Sequence, residues 1–306
     1  MEKAIVTGAS GLIGHNIIKE LLANGIKVLA IGRKERISSD LFLDDISGNL
    51  LFCQLDLEKI DELPQKINKM GWSVGESCVF YHFAWAGFKT LTDGTIDDQL
   101  KNVSYSANAV KIAKKLGCIK FVNSGSLEET FVEKYLDHNW KIAEYHSNQG
   151  SYAVSKLSSR DMCLMVAYLE KIDYIHTRFS AVYDKDFSLK GYISSSLKRI
   201  VDGDLVSPPQ NEQLFDLIDI IDLSKAYYLI GQNGRNKANY FIGTGEPMTL
   251  VDYFMKLEYS LKGLTKVTED SIKRQNLILE HKDFDILALK KDTGFEINNT
   301  FLNTNI

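Results

Sequence analysis

The stretch Thr7-Gly8-Ala9-Ser10-Gly11-Leu12-Ile13-Gly14 limits what this chain can fold into more than any other. Glycines at a spacing of three stand between a short apolar run (residues 3–7) and a segment with Leu12, Ile13, Ile17, Ile18, Leu21 and Leu22 at helical spacing. Glycine at a strand–helix junction permits a tight turn, lets backbone approach a ligand, and lets the helix pack against the strand. The helix start adds unpaired N–H groups and a positive dipole end, which suit a pyrophosphate. Gly8, Ser10, Gly11, Leu12, Ile13 and Gly14 are therefore the expected contacts to a dinucleotide.

The alternation that begins there continues. Asn24-Gly25 stops the first helix, and residues 26–31, 50–54, 77–83 and 119–123 read as strands, with helical patterns at 57–70 and 96–116 between them. A long helix is expected over 151–170 and a strand over 174–179. Beyond these come a helix at 193–201, a Pro208-Pro209 break, strands at 214–218 and 239–242, and helices starting near Asp222 and Leu250. This order predicts an α/β fold: a Rossmann-type, doubly wound parallel sheet with a smaller C-terminal substrate-binding lobe. The expected division is 1–178 for the dinucleotide-binding domain and 179–306 for most of the lobe, with 214–242 returning to the sheet. A length of 306 residues suits that plan.

Composition narrows the partners. A net charge of −4 gives no electrostatic footprint for nucleic acid. The run from Met1 into Ala4-Ile5-Val6 is too abrupt for a signal peptide, and no apolar run approaches the ~18 residues of a membrane span, so a cytoplasmic address is expected. The four cysteines, Cys53, Cys78, Cys118 and Cys163, are widely separated without paired ligand spacing, and no metal is expected.

Tyr152-Ala153-Val154-Ser155-Lys156 sets a phenol and an ammonium at i and i+4 on one helix face. A phenol near pKa ~10 is a poor acid–base group at neutral pH, and a cation one turn away favours its ionised form. This Tyr-x-x-x-Lys pair and the Thr-Gly-x-x-Gly-x-x-Gly turn resemble the short-chain dehydrogenase/reductase superfamily. The resemblance implies that Tyr152 exchanges a proton with the substrate, and that Lys156 both lowers the tyrosine pKa and bonds the nicotinamide ribose. Ser126, in Phe121-Val122-Asn123-Ser124-Gly125-Ser126, falls at the hydroxyl position that holds the substrate oxygen, with Ser124 as a supporting neighbour.

Further segments resemble the extended, nucleotide-sugar-modifying branch. His82-Phe83-Ala84-Trp85 is similar to a His-x-Ala segment beside the cofactor, placing Phe83 and Ala84 against it and Trp85 toward the substrate. Asn102 matches a structural asparagine. Arg178-Phe179-Ser180-Ala181-Val182-Tyr183, Phe215-Asp216-Leu217-Ile218-Asp219-Ile220-Ile221-Asp222, Tyr240-Phe241-Ile242-Gly243-Thr244-Gly245-Glu246 and Thr293-Gly294-Phe295 follow in family order. The arginine that often precedes Asp-Phe is replaced by Phe215 or Leu214, with Arg199 or Lys198 as the expected substitute. In this branch the helices carrying Asn102 and Tyr152 form a dimer bundle, so a homodimer is expected.

The same resemblance bears on the reaction. Sugar dehydratases carry Asp-Glu just after the catalytic hydroxyl. Here Leu127-Glu128 stands there, and Gly125-Ser126-Leu127-Glu128 is similar instead to 4-keto-6-deoxyhexose reductases related to abequose and 6-deoxytalose synthases. The expected activity is reduction of a nucleoside-diphosphate 4-keto-6-deoxysugar. A nucleotide-sugar 4-epimerase and a non-catalytic cofactor-binding regulator are the alternatives. Glu128 and Arg178 join the substrate candidates.

Cofactor choice is read at the end of the second strand, Leu29-Ala30-Ile31-Gly32-Arg33-Lys34. A carboxylate there bonds the ribose hydroxyls of NAD. Glycine instead leaves room for a 2′-phosphate, which Arg33 grips with a planar fork of donors. NADPH is therefore expected to be preferred, with NAD possible. Asp56, after the third strand, is expected at the adenine edge, and Leu57 is a further expected cofactor contact.

Overall fold

The computed structural model describes residues 1–34, 48–75, 77–87, 89–137, 150–189, 191–207, 213–263 and 278–301. The Pro208-Pro209 break lies outside these residues. Seven parallel strands form the central sheet in the order β10-β6-β5-β4-β1-β2-β3. They are β1 (Lys3–Thr7), β2 (Lys27–Gly32), β3 (Leu50–Gln54), β4 (Cys78–His82), β5 (Lys120–Ser124), β6 (Asp173–Arg178) and β10 (Asn239–Phe241). β4 and β5 are buried along their whole length, because helices cover both faces of the sheet.

One face is covered by α1 (Leu12–Ala23) and α7 (Ile220–Asn233), whose Ile17, Ile18, Leu21, Leu223 and Ile230 pack on Val6, Val28 and Val79. The other is covered by α2 (Leu63–Lys69), α3 (Ile96–Lys115) and α5 (Gly150–Glu170), with Leu63, Ile67, Val110, Ala113, Cys163 and Ala167 on Ile5, Leu29 and Phe80. The four cysteines are buried and free. Strand order reverses at β1, which pairs with β2 on one side and β4 on the other, so a crevice opens beyond their carboxyl ends. Thr7 stands level with Ile31 and His82 there.

Local rules misjudged several elements. Residues 57–70 form a 3₁₀ turn, Leu57–Glu62, and then α2, kinked at Lys59 and restarted by a proline in its first turn. α4 (Glu128–Tyr135) had no forecast, because its buried side chains, Glu129, Thr130, Phe131 and Val132, include two polar ones that break the apolar stripe. The expected strand 214–218 is two short strands. β8 (Leu214–Phe215) pairs antiparallel with β11 (Met248–Thr249), and β9 (Leu217–Asp219) pairs parallel with β7 (Ala181–Tyr183). Of residues 214–242, α7 and β10 return to the central layers. β8, β9, α6 (Tyr192–Val201) and α8 (Leu250–Leu261) contribute to smaller clusters around Tyr183 and Tyr253 and around Phe241 and Phe284. α9 (Leu287–Thr293) ends at Gly294 in the left-handed region. No helix among the described residues is long and apolar enough to cross a membrane.

Candidate active site

The glycine turn is a backbone cradle. Gly8 has φ +72°, and a Cβ there would sit 2.8 Å from the Ala84 nitrogen; one on Gly14 would sit 2.4 Å from the Gly8 carbonyl oxygen. Only glycine lets β1, α1 and the segment after β4 approach this closely. Gly11 caps α1 without a side-chain bond, and the first turn has no acidic residue, so the positive helix end stays unneutralised. A cavity of about 260 Å³ opens beside it. Gly8, Ser10, Gly11, Arg33, Asp56, Leu57, Phe83 and Ala84 line it, together with Gly32, Lys34 and Trp85. Leu12, Ile13 and Gly14 form the first turn of α1 behind it. A glycine-backed cleft with two cations at one end fits a nicotinamide dinucleotide.

Ser126, Tyr152 and Lys156 come together although they arise from the end of β5 and from α5. The Tyr152 hydroxyl is hydrogen-bonded with Ser126. The Lys156 ammonium donates to the Ser124 carbonyl at 2.9 Å and lies 3.9 Å from the centre of the Trp85 ring, which meets Tyr152 edge-on. Burial holds the Tyr152 phenol above its ordinary range; the Ser126 bond acts the other way, and Glu129 and Glu128 act with burial. Burial also brings the Lys156 ammonium down to about 8, against the upward pull of Glu129 and Cys163.

Other candidates divide. The Ser124 hydroxyl accepts from Tyr227 at 3.3 Å. Trp85, expected toward the substrate, lines the cleft, donates from Nε1 to Gln99 at 2.8 Å and covers Lys156. Asn102 clamps the loop after β4, accepting from the Ala86 N–H at 2.9 Å and donating to the Ala86 carbonyl at 2.8 Å. The Arg178 guanidinium donates to the Thr130 hydroxyl, while its buried Nε has no partner among the described residues. Arg199 stands exposed on α6, paired with Asp204 at 3.2 Å, and no described contact joins it to Tyr152.

Sequence reasoning missed Glu129. Glu128, the expected substrate contact, stands at the first position of α4, whereas Glu129 is the carboxylate drawn beneath the Ser126 segment and wholly buried. Its Oε1 accepts from the Ser126 N–H at 2.8 Å, and its Oε2 lies 2.9 Å from His176 Nε2. Glu129 and His176 are 47 positions apart, so no local pattern announces the pair. His82 is a core histidine, bonded to Thr7 and Ser106 and held neutral by burial and by Lys156 at a pKa of about 3. Among the described residues no group of three His, Cys, Asp or Glu is arranged to hold a metal.

The chain is similar to known proteins in sequence and in fold. The model of the NAD dependent epimerase/dehydratase family matches residues 4–243. CDP-abequose synthase of Salmonella typhimurium is 26% identical over 267 residues, covering 85% of this chain and 81% of that protein. The Bordetella bronchiseptica enzyme WbmH, solved with NAD+, superposes with a TM-score of 0.68 at 20% identity, covering 99% of this chain and 96% of that one. UDP-glucose 4-epimerase of Thermotoga maritima, solved with UDP-glucose, superposes with a TM-score of 0.66 at 16% identity over 99% and 96%.

Proposed function

Because the chain belongs to the NAD dependent epimerase/dehydratase family, we propose that it reduces the 4-keto group of a nucleoside-diphosphate 4-keto-6-deoxysugar with NADPH. The observation that carries this reading is Leu127 directly after the catalytic hydroxyl, where the acid of a dehydratase would stand. The likeness to CDP-abequose synthase supports it.

The residues divide the work. The nicotinamide, when bound, supplies the hydride. Ser126 holds the substrate's carbonyl oxygen by hydrogen bonding, and Tyr152 gives that oxygen its proton, leaving an alcohol and a phenolate. The Lys156 ammonium, one turn away, stabilises the phenolate until a solvent proton replaces the one transferred. Arg178, at the end of β6, faces the substrate, and most of residues 179–306, apart from α7 and β10 in the central layers, forms the lobe that holds the sugar nucleotide.

NADPH is favoured at the end of β2. A Cβ on Gly32 would meet the Phe52 ring at 3.4 Å and Ser10 Oγ at 3.7 Å, ordinary contacts that leave space for a side chain. The missing carboxylate is therefore not a steric necessity. Arg33 and Lys34 at the cleft mouth supply charge for a 2′-phosphate. A homodimer through α3 and α5 is proposed likewise, since Leu100, Val154, Met162, Met165 and Leu169 stand exposed on them.

The deciding experiment supplies a 4-keto-6-deoxy nucleotide sugar and follows reduced-nicotinamide absorbance. One NADPH consumed per alcohol formed is expected. Interconversion of 4-epimeric nucleotide sugars without added reductant would make the protein an epimerase, which uses the same three residues but regenerates its cofactor.

A further inference from the structure

We propose that the buried Glu129–His176 pair is a positioning device that fixes Ser126 from below and sets the charge felt by Lys156. The inference rests on reading Ser126, Tyr152 and Lys156 as the reacting group. Glu129 makes no bond to the cofactor cleft; it sits on α4, wholly buried, one oxygen on the Ser126 N–H and the other on His176. His176 is braced in turn, its Nδ1 lying 3.4 Å from Asn123 Nδ2 and 3.3 Å from the Tyr174 hydroxyl. Gly125 is shaped for the pair: a Cβ there would fall 2.2 Å from Glu129 Oε1 and 2.4 Å from His176 Nε2. Three consecutive features of the chain, a glycine, the catalytic serine and the start of α4, thus close around one carboxylate.

A carboxylate is costly to bury, and a neutral acceptor would hold the serine N–H as well. Its charge acts on its surroundings. Burial opposes Glu129 ionisation, but His176, the Ser126 N–H and Lys156 together keep its carboxyl below the usual range. The groups facing it are His176, Arg178 and Tyr174 on β6 and Tyr152 and Lys156 on α5, with Glu128 beside it on α4. Those facing Lys156 are Glu129, its own helix neighbours Tyr152 and Cys163, and His82 at the end of β4. Glu129 therefore acts against burial to raise the Lys156 ammonium, in the same direction as Cys163.

The test uses the full chain labelled at lysine Cε with carbon-13, the Lys156 signal being identified by its loss in Lys156→Arg. In the unaltered protein that signal is expected to titrate near pH 8. Glu129→Gln keeps an oxygen for the Ser126 N–H but removes the charge, and the midpoint is expected to move down by about one unit. An unmoved midpoint in a folded Glu129→Gln protein would overturn the inference. If that variant does not fold, His176→Gln replaces it: the imidazole no longer helps hold the buried carboxyl ionised, so the midpoint is expected to fall, and an unmoved midpoint overturns the inference. Turnover is measured in parallel. Inactivity of the unaltered protein with keto sugars sinks the proposed reaction while the Lys156 shift still stands, and activity with an unmoved midpoint does the reverse.

Discussion

The two halves of the site are built from different materials. The cofactor side is backbone: a glycine turn, a helix end and the segment after β4, packed so closely that a methyl group has no room. The chemical side is made of side chains. Ser126, Glu129, Tyr152, Lys156 and His176 come from four elements and are held by buried bonds and charges. Backbone cradles fail sterically and affect binding, whereas side-chain networks fail electrostatically and affect rate. Substitutions on the two sides should therefore separate affinity from turnover.

The sharpest separation comes from Tyr152→Phe, which keeps the ring against Trp85 and deletes the proton. Turnover is expected to fall by about 10² or more, with cofactor affinity nearly unchanged in a binding titration. Normal turnover would remove Tyr152 from the mechanism. Gly8→Ala is the mirror image. It forces a side chain into a positive φ against the Ala84 nitrogen, a strain of order 1–3 kcal/mol. Cofactor binding should weaken by about tenfold or more, with turnover at saturating cofactor largely kept. A loss of turnover alone would break the contrast.

The contrast also explains what was legible in the chain before folding. The cradle was readable because its parts are contiguous: residues 7–14 state strand, turn and helix in one breath. Tyr152 and Lys156 were readable because one helical turn joins them. Glu129 and His176 were not, since their meeting depends on α4 folding back beneath β5 and β6. The place of Trp85 over Lys156 was not legible for the same reason; it depends on Asn102 clamping the loop and on Gln99 holding the indole. The split of residues 214–218 reflects partners supplied from β7 and β11, outside any local window.

A third test stays on the cofactor side but leaves the cradle intact. Arg33→Ala should weaken NADPH by about 1.5–3 kcal/mol, the scale of a hydrogen bond to a charged group, and barely touch NADH. Equal losses for both, or a native preference for NADH, would show that Gly32-Arg33 does not read the 2′-phosphate.

Acidity gives a fourth. In the proposed reaction the phenolate needs the Lys156 ammonium, which burial brings down to about 8, so turnover should decline as pH rises through about 8. Stability should respond in the opposite sense. The folded value lies below the ordinary lysine value of 10.5, so between about 8 and 10.5 the unfolded chain holds more protons on this lysine. Relative to Lys156→Met, the native protein should therefore gain stability across that window, by at most on the order of 3 kcal/mol. Parallel declines in rate and stability would mean that unfolding, not Lys156, sets the alkaline limb.

The smallest effect is expected at Arg199, and it decides which arginine serves the substrate. Its guanidinium is more than half exposed and paired with Asp204, an exposed ion pair of the kind worth about 0–1 kcal/mol. Arg178 differs in kind. It is anchored through Thr130 at the carboxyl end of β6, and its buried Nε lacks an acceptor among the described residues. Leaving such a donor unsatisfied costs about 1–3 kcal/mol, which an oxygen of a bound sugar nucleotide would offset. Arg178→Gln should thus raise the substrate KM several-fold, whereas Arg199→Ala should leave it within about twofold. A tenfold rise in KM for Arg199→Ala would instead make α6 the diphosphate-holding element, closing over the site when substrate binds.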